Sequence, residues 1–335
     1  MRVVIYGAGA VGSVLGGRLA QTGADVVLVA RPAHVQAIGA AGGLRIRTAV
    51  GVDTVDVAAV TSLATVTPGP DDVVIVTAKT QDTAAIHDAL LAWNPAVAVV
   101  CGTNGVEHER MTLRRFERVY GMVIQMPAQF EKPGEVTPLC APINALVDVG
   151  RYPSGIDDTA RELAALLDAS AQMMCEADPH IMIKKHAKLL NNLGNPADAA
   201  CGMVGRGAEV VKVAVAEGMR VYAAAGIVYE LATGPAEHYQ ARMAEMLRFA
   251  IPDGDTFLGG STWQSLAKGA TTLETDYLNG EILLLGRLHD IATPATRFLF
   301  DLADDMLRRR TPPGQMSVAD LDASWRAVNR RDGDE

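Results

Sequence analysis

The stretch AKLLNNLGNP, residues 187–196, puts a lysine and three asparagines into a pattern that otherwise reads as helix. Lys184, Lys188, Asn191, Asn192 and Asn195 recur at three- and four-residue spacings, so on a helix they share one face. Asparagine competes for backbone hydrogen bonds and serves a solvated helix poorly, where Glu, Lys or Gln would be better. A polar strip lining a cleft accounts for the amides and the lysine together. Pro196 is expected to kink or end the helix. A second constellation is Gly7, Gly9 and Gly12, a GxGxxG between a β-branched run and a helical one. Gly7 suits a tight turn, Gly9 lets the backbone approach a pyrophosphate, and Gly12 lets helix pack on strand. Ala10, Val11 and Gly12 then open the helix at the end that attracts phosphate. The chemistry implied is dinucleotide binding. Arg31, in VLVARPAH, stands where an NAD enzyme often carries Asp or Glu. A cation there meets the 2′-phosphate of NADPH or NADP+. Lys79 and Gln81 in AKTQDT and Asn104 in GTNGVEHE close two later strands, at the edge where open sheets bind ligands.

These residues need elements to hold them. RVVIYG, DVVLVAR, DVVIVTAKT and AVAVVCGTN are apolar runs, as in parallel strands covered on both faces. AGAVGSVLGGRLAQTG between the first two has helical spacing through Val11, Leu15 and Leu19 and a stop at Gly23. The alternation predicts an α/β fold with an N-terminal Rossmann-type doubly wound sheet. MMCE reads as a last strand near residue 173, and Asp178-Pro179 as the N-cap and first residue of the helix carrying the polar strip. VAVAEGMRVYAAAGI, AEHYQARMAEMLRFAI and the run from Glu274 to Arg310 are further helical patterns. The expected domains are 1–175, binding NADP, and 176–335, all-helical. From TPPGQ onward the chain turns polar and is expected to fray.

The chain has 335 residues, 49% hydrophobic and 21% charged, enough for two domains with a large core. A formal net charge of −9 argues against nucleic-acid binding, though not against a local basic pocket for phosphate. No run of 18 apolar residues occurs, so no membrane span is expected. The N-terminus enters a strand at once, with no signal peptide indicated. The four cysteines form no CxxC and the seven histidines show no metal-ligand spacing. A reduced cytoplasmic protein without a metal is the expectation.

The stretches YGAGAVGSVLGGRLAQTG, VARPAH, AKTQDT, TNGVE, KLLNNLGNP and STWQSLAKGATTLETDYLNGEI occur in this order. In them the chain resembles the ketopantoate reductase (2-dehydropantoate 2-reductase) family over most of its length. Members reduce 2-oxo acids with NADPH, using a Rossmann domain and a helical C-terminal domain. The resemblance implies a catalytic lysine at Lys188 and an acid at Glu274. It implies substrate-binding residues at Asn192 and Asn195, with Asn191 competing for the first role, and at Ser261. Lys79 and Asn104 become cofactor residues. This chain departs from the family pattern in three ways. The second asparagine comes at +7 from the lysine, not +8. Ser265 stands where an Asp commonly follows the serine. One extra residue separates Ser261 from Glu274.

The lysine ammonium would stabilise and protonate the oxygen that turns negative on hydride attack, while amides and hydroxyls hold a carboxylate without adding charge. The implied reaction is reduction of a small-molecule 2-oxo acid, first 2-dehydropantoate to pantoate in pantothenate biosynthesis. The alternatives are a paralogue for another branched or aromatic 2-oxo acid, and a non-catalytic NADPH sensor. A homodimer is one expectation for its assembly.

Overall fold

The computed structural model describes residues 1–230, 235–256 and 259–331. Strand Arg2–Tyr6 is the pivot of its larger sheet. Val3 and Ile5 point to one face and Val4 to the other, and each side chain is fully buried. The same alternation holds for Val73 and Ile75 against Val74 and Val76 in strand Asp72–Val76. Both faces are therefore covered, which is why these strands read as unbroken apolar runs.

Across the sheet the order is Met173–Ala177, Ala145–Arg151, Val119–Gln125, Ala98–Cys101, Asp72–Val76, Arg2–Tyr6, Val26–Val29, Ala58–Val60. From Val119–Gln125 to Ala58–Val60 the neighbours run parallel, with Ile5 opposite both Leu28 and Ile75. Ala145–Arg151 pairs antiparallel with Val119–Gln125. The order reverses beside Arg2–Tyr6, the switch point where open α/β sheets bind ligands. The runs named from the sequence are thus strands of one doubly wound sheet. Three further strands were not legible as runs. Val119–Gln125 is broken by Gly121, where a Cβ would lie 3.2 Å from Ile181 and Met182. Ala145–Arg151 carries Asp148 in its middle, fully buried, and Ala58–Val60 is only three residues long. A smaller sheet has the order Gly51–Val55, Leu44–Thr48, Glu135–Pro138, Ala128–Gln129.

The chain divides into two compact units, and the boundary differs from the expected 175/176. The first unit holds Met1–Asn104, His108–Lys185 and Glu230–Phe257; the second holds Gly105–Glu107, His186–Tyr229 and Leu258–Glu335. Buried charge explains both the later boundary and the return of helix Pro235–Met246. Lys184 donates to Asp148 at 2.8 Å, and Arg242 of that helix forks onto both oxygens of Asp148 at 2.9 and 3.1 Å. A carboxylate buried in a strand centre needs such cations.

The second unit is helical. Its core joins Ala197, Val210, Ala214, Leu299, Leu321 and Trp325. Buried Glu217, on helix Glu209–Ala225, accepts from the amides of Ala295 and Thr296, both at 2.8 Å, and so closes the start of helix Pro294–Arg309. The expectation of fraying after Thr311 is corrected. Val318–Arg331 is a helix, with Leu321 and Trp325 buried at i and i+4. Its polar composition hid a narrow apolar stripe. Residues 332–335 of the expected tail lie outside the described residues. No helix among the described residues is long and apolar enough to cross a membrane.

Candidate active site

Three glycines shape the turn after strand Arg2–Tyr6, and the reasons for them differ. Gly7 has φ +101°, and a Cβ there would lie 2.5 Å from the Ala78 amide nitrogen. At Gly12 a Cβ would lie 2.5 Å from Thr77 Oγ1, the hydroxyl that donates to the Gly7 carbonyl at 2.9 Å. Nothing comparable crowds Gly9, where the nearest atom to a Cβ would be 3.9 Å away. Gly9 is the N-cap of helix Ala10–Ala20, which has no side-chain cap and no acid in its first turn. An open approach to first-turn amides that no side chain occupies fits a dinucleotide pyrophosphate.

The other residues expected around a cofactor sit on the same edge. Arg31 follows strand Val26–Val29 as the exposed N-cap of helix Pro32–Ala40. His34, in that helix, is buried and accepts from the Gly134 amide at its Nδ1, so its Nε2 proton faces Ser13 Oγ at 3.1 Å. Burial and the nearby Arg31 push this imidazole down to about 4, so it is neutral and acts as a latch. Lys79 opens the turn after Asp72–Val76, and Asn104 follows Ala98–Cys101; both are half-buried. Tyr6 lies opposite Val76, and Val76 opposite Cys101, so the three loops emerge side by side.

The lysines of the polar strip separate. The strip was expected to include Lys184, but its ammonium sits between Asp148 and Asp178 at 2.8 and 2.7 Å. Burial alone would lower its pKa; the two carboxylates outweigh this and hold it above the ordinary value. Lys185 is buried, donates to the carbonyls of Cys101 and Thr103, and is ion-paired with buried Glu109. Beside it, burial together with Lys185 and His87 pushes His108 down to about 3, and its Nδ1 meets Thr103 Oγ1 at 3.0 Å. Asp178-Pro179 does not begin the helix. Asp178 accepts from the His180 amide at 2.7 Å and closes a turn, and the helix runs Ile181–Asn192.

In the second unit the strip is a corner and not one continuous face. The chain turns after Asn192, and Pro196 lies in the first turn of helix Asn195–Cys201. Asn191 is exposed, whereas Asn192 is 9% exposed and its Nδ2 has no hydrogen-bond partner. A buried amide donor without a partner costs about 1–3 kcal/mol, so this nitrogen is open to a water or a ligand. Asn195 is buried and its Oδ1 accepts from Arg206 at 2.8 Å. Ser261 opens helix Ser261–Ala267 and is exposed. Ser265 donates its hydroxyl to the Ser261 carbonyl at 2.8 Å. Glu274 opens the turn Glu274–Tyr277 and, like Lys188, is half-buried. Asn279, just beyond, donates to the Leu193 carbonyl at 3.1 Å and ties this segment to the asparagine corner. Asp198 and Arg206 belong to the same corner and carry no strong signal in the sequence. The one hint is Asp198 at i+3 from Asn195.

Two family models match consecutive parts of the chain: ketopantoate reductase PanE/ApbA over residues 3–141, and its C-terminal part over residues 185–306. A 2-dehydropantoate 2-reductase of Pyrococcus horikoshii is 28% identical, the match covering 90% of this chain and 96% of that protein. One from Archaeoglobus fulgidus is 29% identical with the same coverage. Among solved structures, a PanE/ApbA family ketopantoate reductase from Ralstonia eutropha superposes with a TM-score of 0.73 at 28% identity, covering 92% of this chain and 99% of that one. D-mandelate dehydrogenase with NADH and anilino(oxo)acetate also has a TM-score of 0.73, covering 93% of this chain and 100% of that one; at 22% identity it shares the fold.

Proposed function

This chain belongs to the ketopantoate reductase family, and from that premise we propose that it reduces 2-dehydropantoate to pantoate. It is an NADP-dependent oxidoreductase acting on a CH–OH group. The observation that carries the site is the buried, unpartnered Asn192 amide one turn beyond Lys188. NADPH supplies the hydride when bound. Gly9 and the first-turn amides would hold its pyrophosphate, Arg31 its 2′-phosphate, and Lys79 and Asn104 the remainder. Lys188 stabilises the negative charge growing on the 2-oxo oxygen and gives it a proton, so the carbonyl becomes a hydroxyl. Asn192, Asn195 and Ser261 hold the carboxylate and hydroxyl ends through neutral donors. Glu274 orients Lys188 or accepts from a substrate hydroxyl.

The role of Arg31 has a direct test. Arg31→Ala is expected to raise KM for NADPH at least tenfold and leave KM for NADH nearly unchanged, since only NADPH carries the phosphate that meets the guanidinium. Equal effects on both cofactors would remove Arg31 from that position.

A second reading, another branched or aromatic 2-oxo acid, is favoured by Ser265. Its hydroxyl bonds back into its own helix and offers no carboxylate to a substrate hydroxyl. A site built to bind a hydroxyl rejects analogues lacking it by up to about 10⁴–10⁵-fold. With that contact weakened, 2-dehydropantoate should be preferred over 2-oxoisovalerate by less than about 10³-fold in kcat/KM. NADPH oxidation followed across 2-dehydropantoate, 2-oxoisovalerate and phenylglyoxylate tests both readings. A ratio well above 10³ restores full recognition of the hydroxyl, and a higher kcat/KM on phenylglyoxylate selects an aromatic substrate.

A further inference from the structure

We propose that Arg206 and Asp198 form a positioning pair that sets the substrate-binding end of the second unit, an inference that rests on the 2-oxo acid reading above. Arg206 lies in the tight turn Met203–Gly207. Its guanidinium donates to three acceptors: the Asn191 carbonyl at 3.2 Å, Asn195 Oδ1 at 2.8 Å and Asp198 Oδ2 at 3.1 Å. Asp198 is 1% exposed, and the same Oδ2 accepts from the Gly260 amide at 3.0 Å. Gly260 is the N-cap of the helix that begins with Ser261. One charge pair thus joins the three segments that carry Asn192, Asn195 and Ser261.

This arrangement has a chemical consequence. A guanidinium has donors only, so the atom of Asn195 that faces it must be the amide oxygen. The amide nitrogen is then the end that remains to donate, and its direction is set by a rigid planar fork and not by the substrate. The pair carries no net charge, so it orients neutral donors without adding a cation beside Lys188. The guanidinium and the Gly260 amide both meet Oδ2 of the buried Asp198 carboxylate, while its Oδ1 has no hydrogen-bond partner among the described residues.

The backbone around the pair is built to admit it. A Cβ at Gly260 would lie 2.8 Å from Asp198 Oδ2 and 3.3 Å from Arg206 Nη2. A Cβ at Gly205 would fall 2.1 Å from the Ala197 carbonyl, so the turn bearing Arg206 sits directly on helix Asn195–Cys201. Both sites are glycine where any side chain would separate the partners. Binding geometry displaced by about 1 Å costs on the order of 10²-fold in rate, the scale at which such a pair matters.

The experiment compares full-length wild type with Arg206→Met, Arg206→Lys and Asp198→Asn. It measures kcat and KM for 2-dehydropantoate, Kd for NADPH by nucleotide fluorescence, and the thermal midpoint. Arg206→Met is expected to raise KM for the 2-oxo acid by about 10–100-fold with Kd for NADPH within twofold of wild type. Lysine cannot fork onto three acceptors, so Arg206→Lys should recover only part of the loss. Asp198→Asn keeps an oxygen for the Gly260 amide and should fall between wild type and Arg206→Met. Unchanged KM in Arg206→Met overturns the proposal. So does a rise in KM that tracks a loss of NADPH binding, which is the mark of a general structural role. If Arg206→Met does not fold, the ordering of the other two decides: full activity in both overturns the pair. Wild type that fails to oxidise NADPH with any 2-oxo acid refutes the 2-oxo acid reading, and the pair with it. Normal wild-type activity with insensitive variants refutes the pair alone.

Discussion

Lys188→Ala is expected to lower kcat by about 10²–10⁴-fold while NADPH still binds, because loss of a positioned general acid has that size. Two lysines close by in the chain make this a sharp test. Lys184 is held between Asp148 and Asp178, and Lys185 is paired with Glu109. Their ammonium groups are committed to carboxylates of the first unit, so neither is a neutral control, and neither offers a substitute acid. Lys188→Arg should be intermediate: it keeps a positive charge near the developing oxyanion but delivers a proton poorly, as its pKa exceeds about 12. Nucleotide fluorescence and single-turnover NADPH oxidation separate binding from chemistry. A Lys188→Ala enzyme within threefold of wild type in kcat would end the assignment.

The second large effect is on stability. Lys185 and Glu109 are 3% and 0% exposed, and Lys185 also holds the carbonyls of Cys101 and Thr103, just before Asn104. Lys185→Met takes the ammonium away from the buried Glu109 carboxylate. Breaking a buried pair in this way costs about 3–5 kcal/mol. At about 2–4 °C per kcal/mol, the thermal midpoint should fall by roughly 6–20 °C. Lys185→Met combined with Glu109→Leu removes both ions and should regain most of the loss. A single variant within about 1 kcal/mol of wild type in urea unfolding would show that the pair is already well solvated.

Much of the first unit is legible in the sequence. Gly7, Gly12 and the apolar runs answer to local demands: a positive φ, a close approach of helix to strand, and burial on both faces of a sheet. These demands act within a few residues, so contiguous sequence carries them. Three strands of the large sheet escape: a glycine interrupts one, a buried aspartate another, and the third is only three residues long. The C-terminal helix escapes because its apolar stripe, Leu321 and Trp325, is narrow beside its charges.

The polar strip is legible as chemistry but not as geometry. Helical spacing puts Lys184, Lys188 and the asparagines together, and nothing in that spacing tells which of them has a distant partner. Lys184 meets Asp148 across 36 positions of chain, Lys185 meets Glu109 across 76, and Arg242 meets Asp148 across 94. The sequence by itself determined the doubly wound sheet, the glycine turn after its first strand and the family. The tertiary structure alone decided that Asn192 and not Asn191 is buried, that Asn195 starts a new helix, and that Arg206 donates to the Asn195 side chain. Backbone conformation follows from neighbours in the chain. The partner of a buried charge follows from which segments share a core, and that depends on every packed element at once.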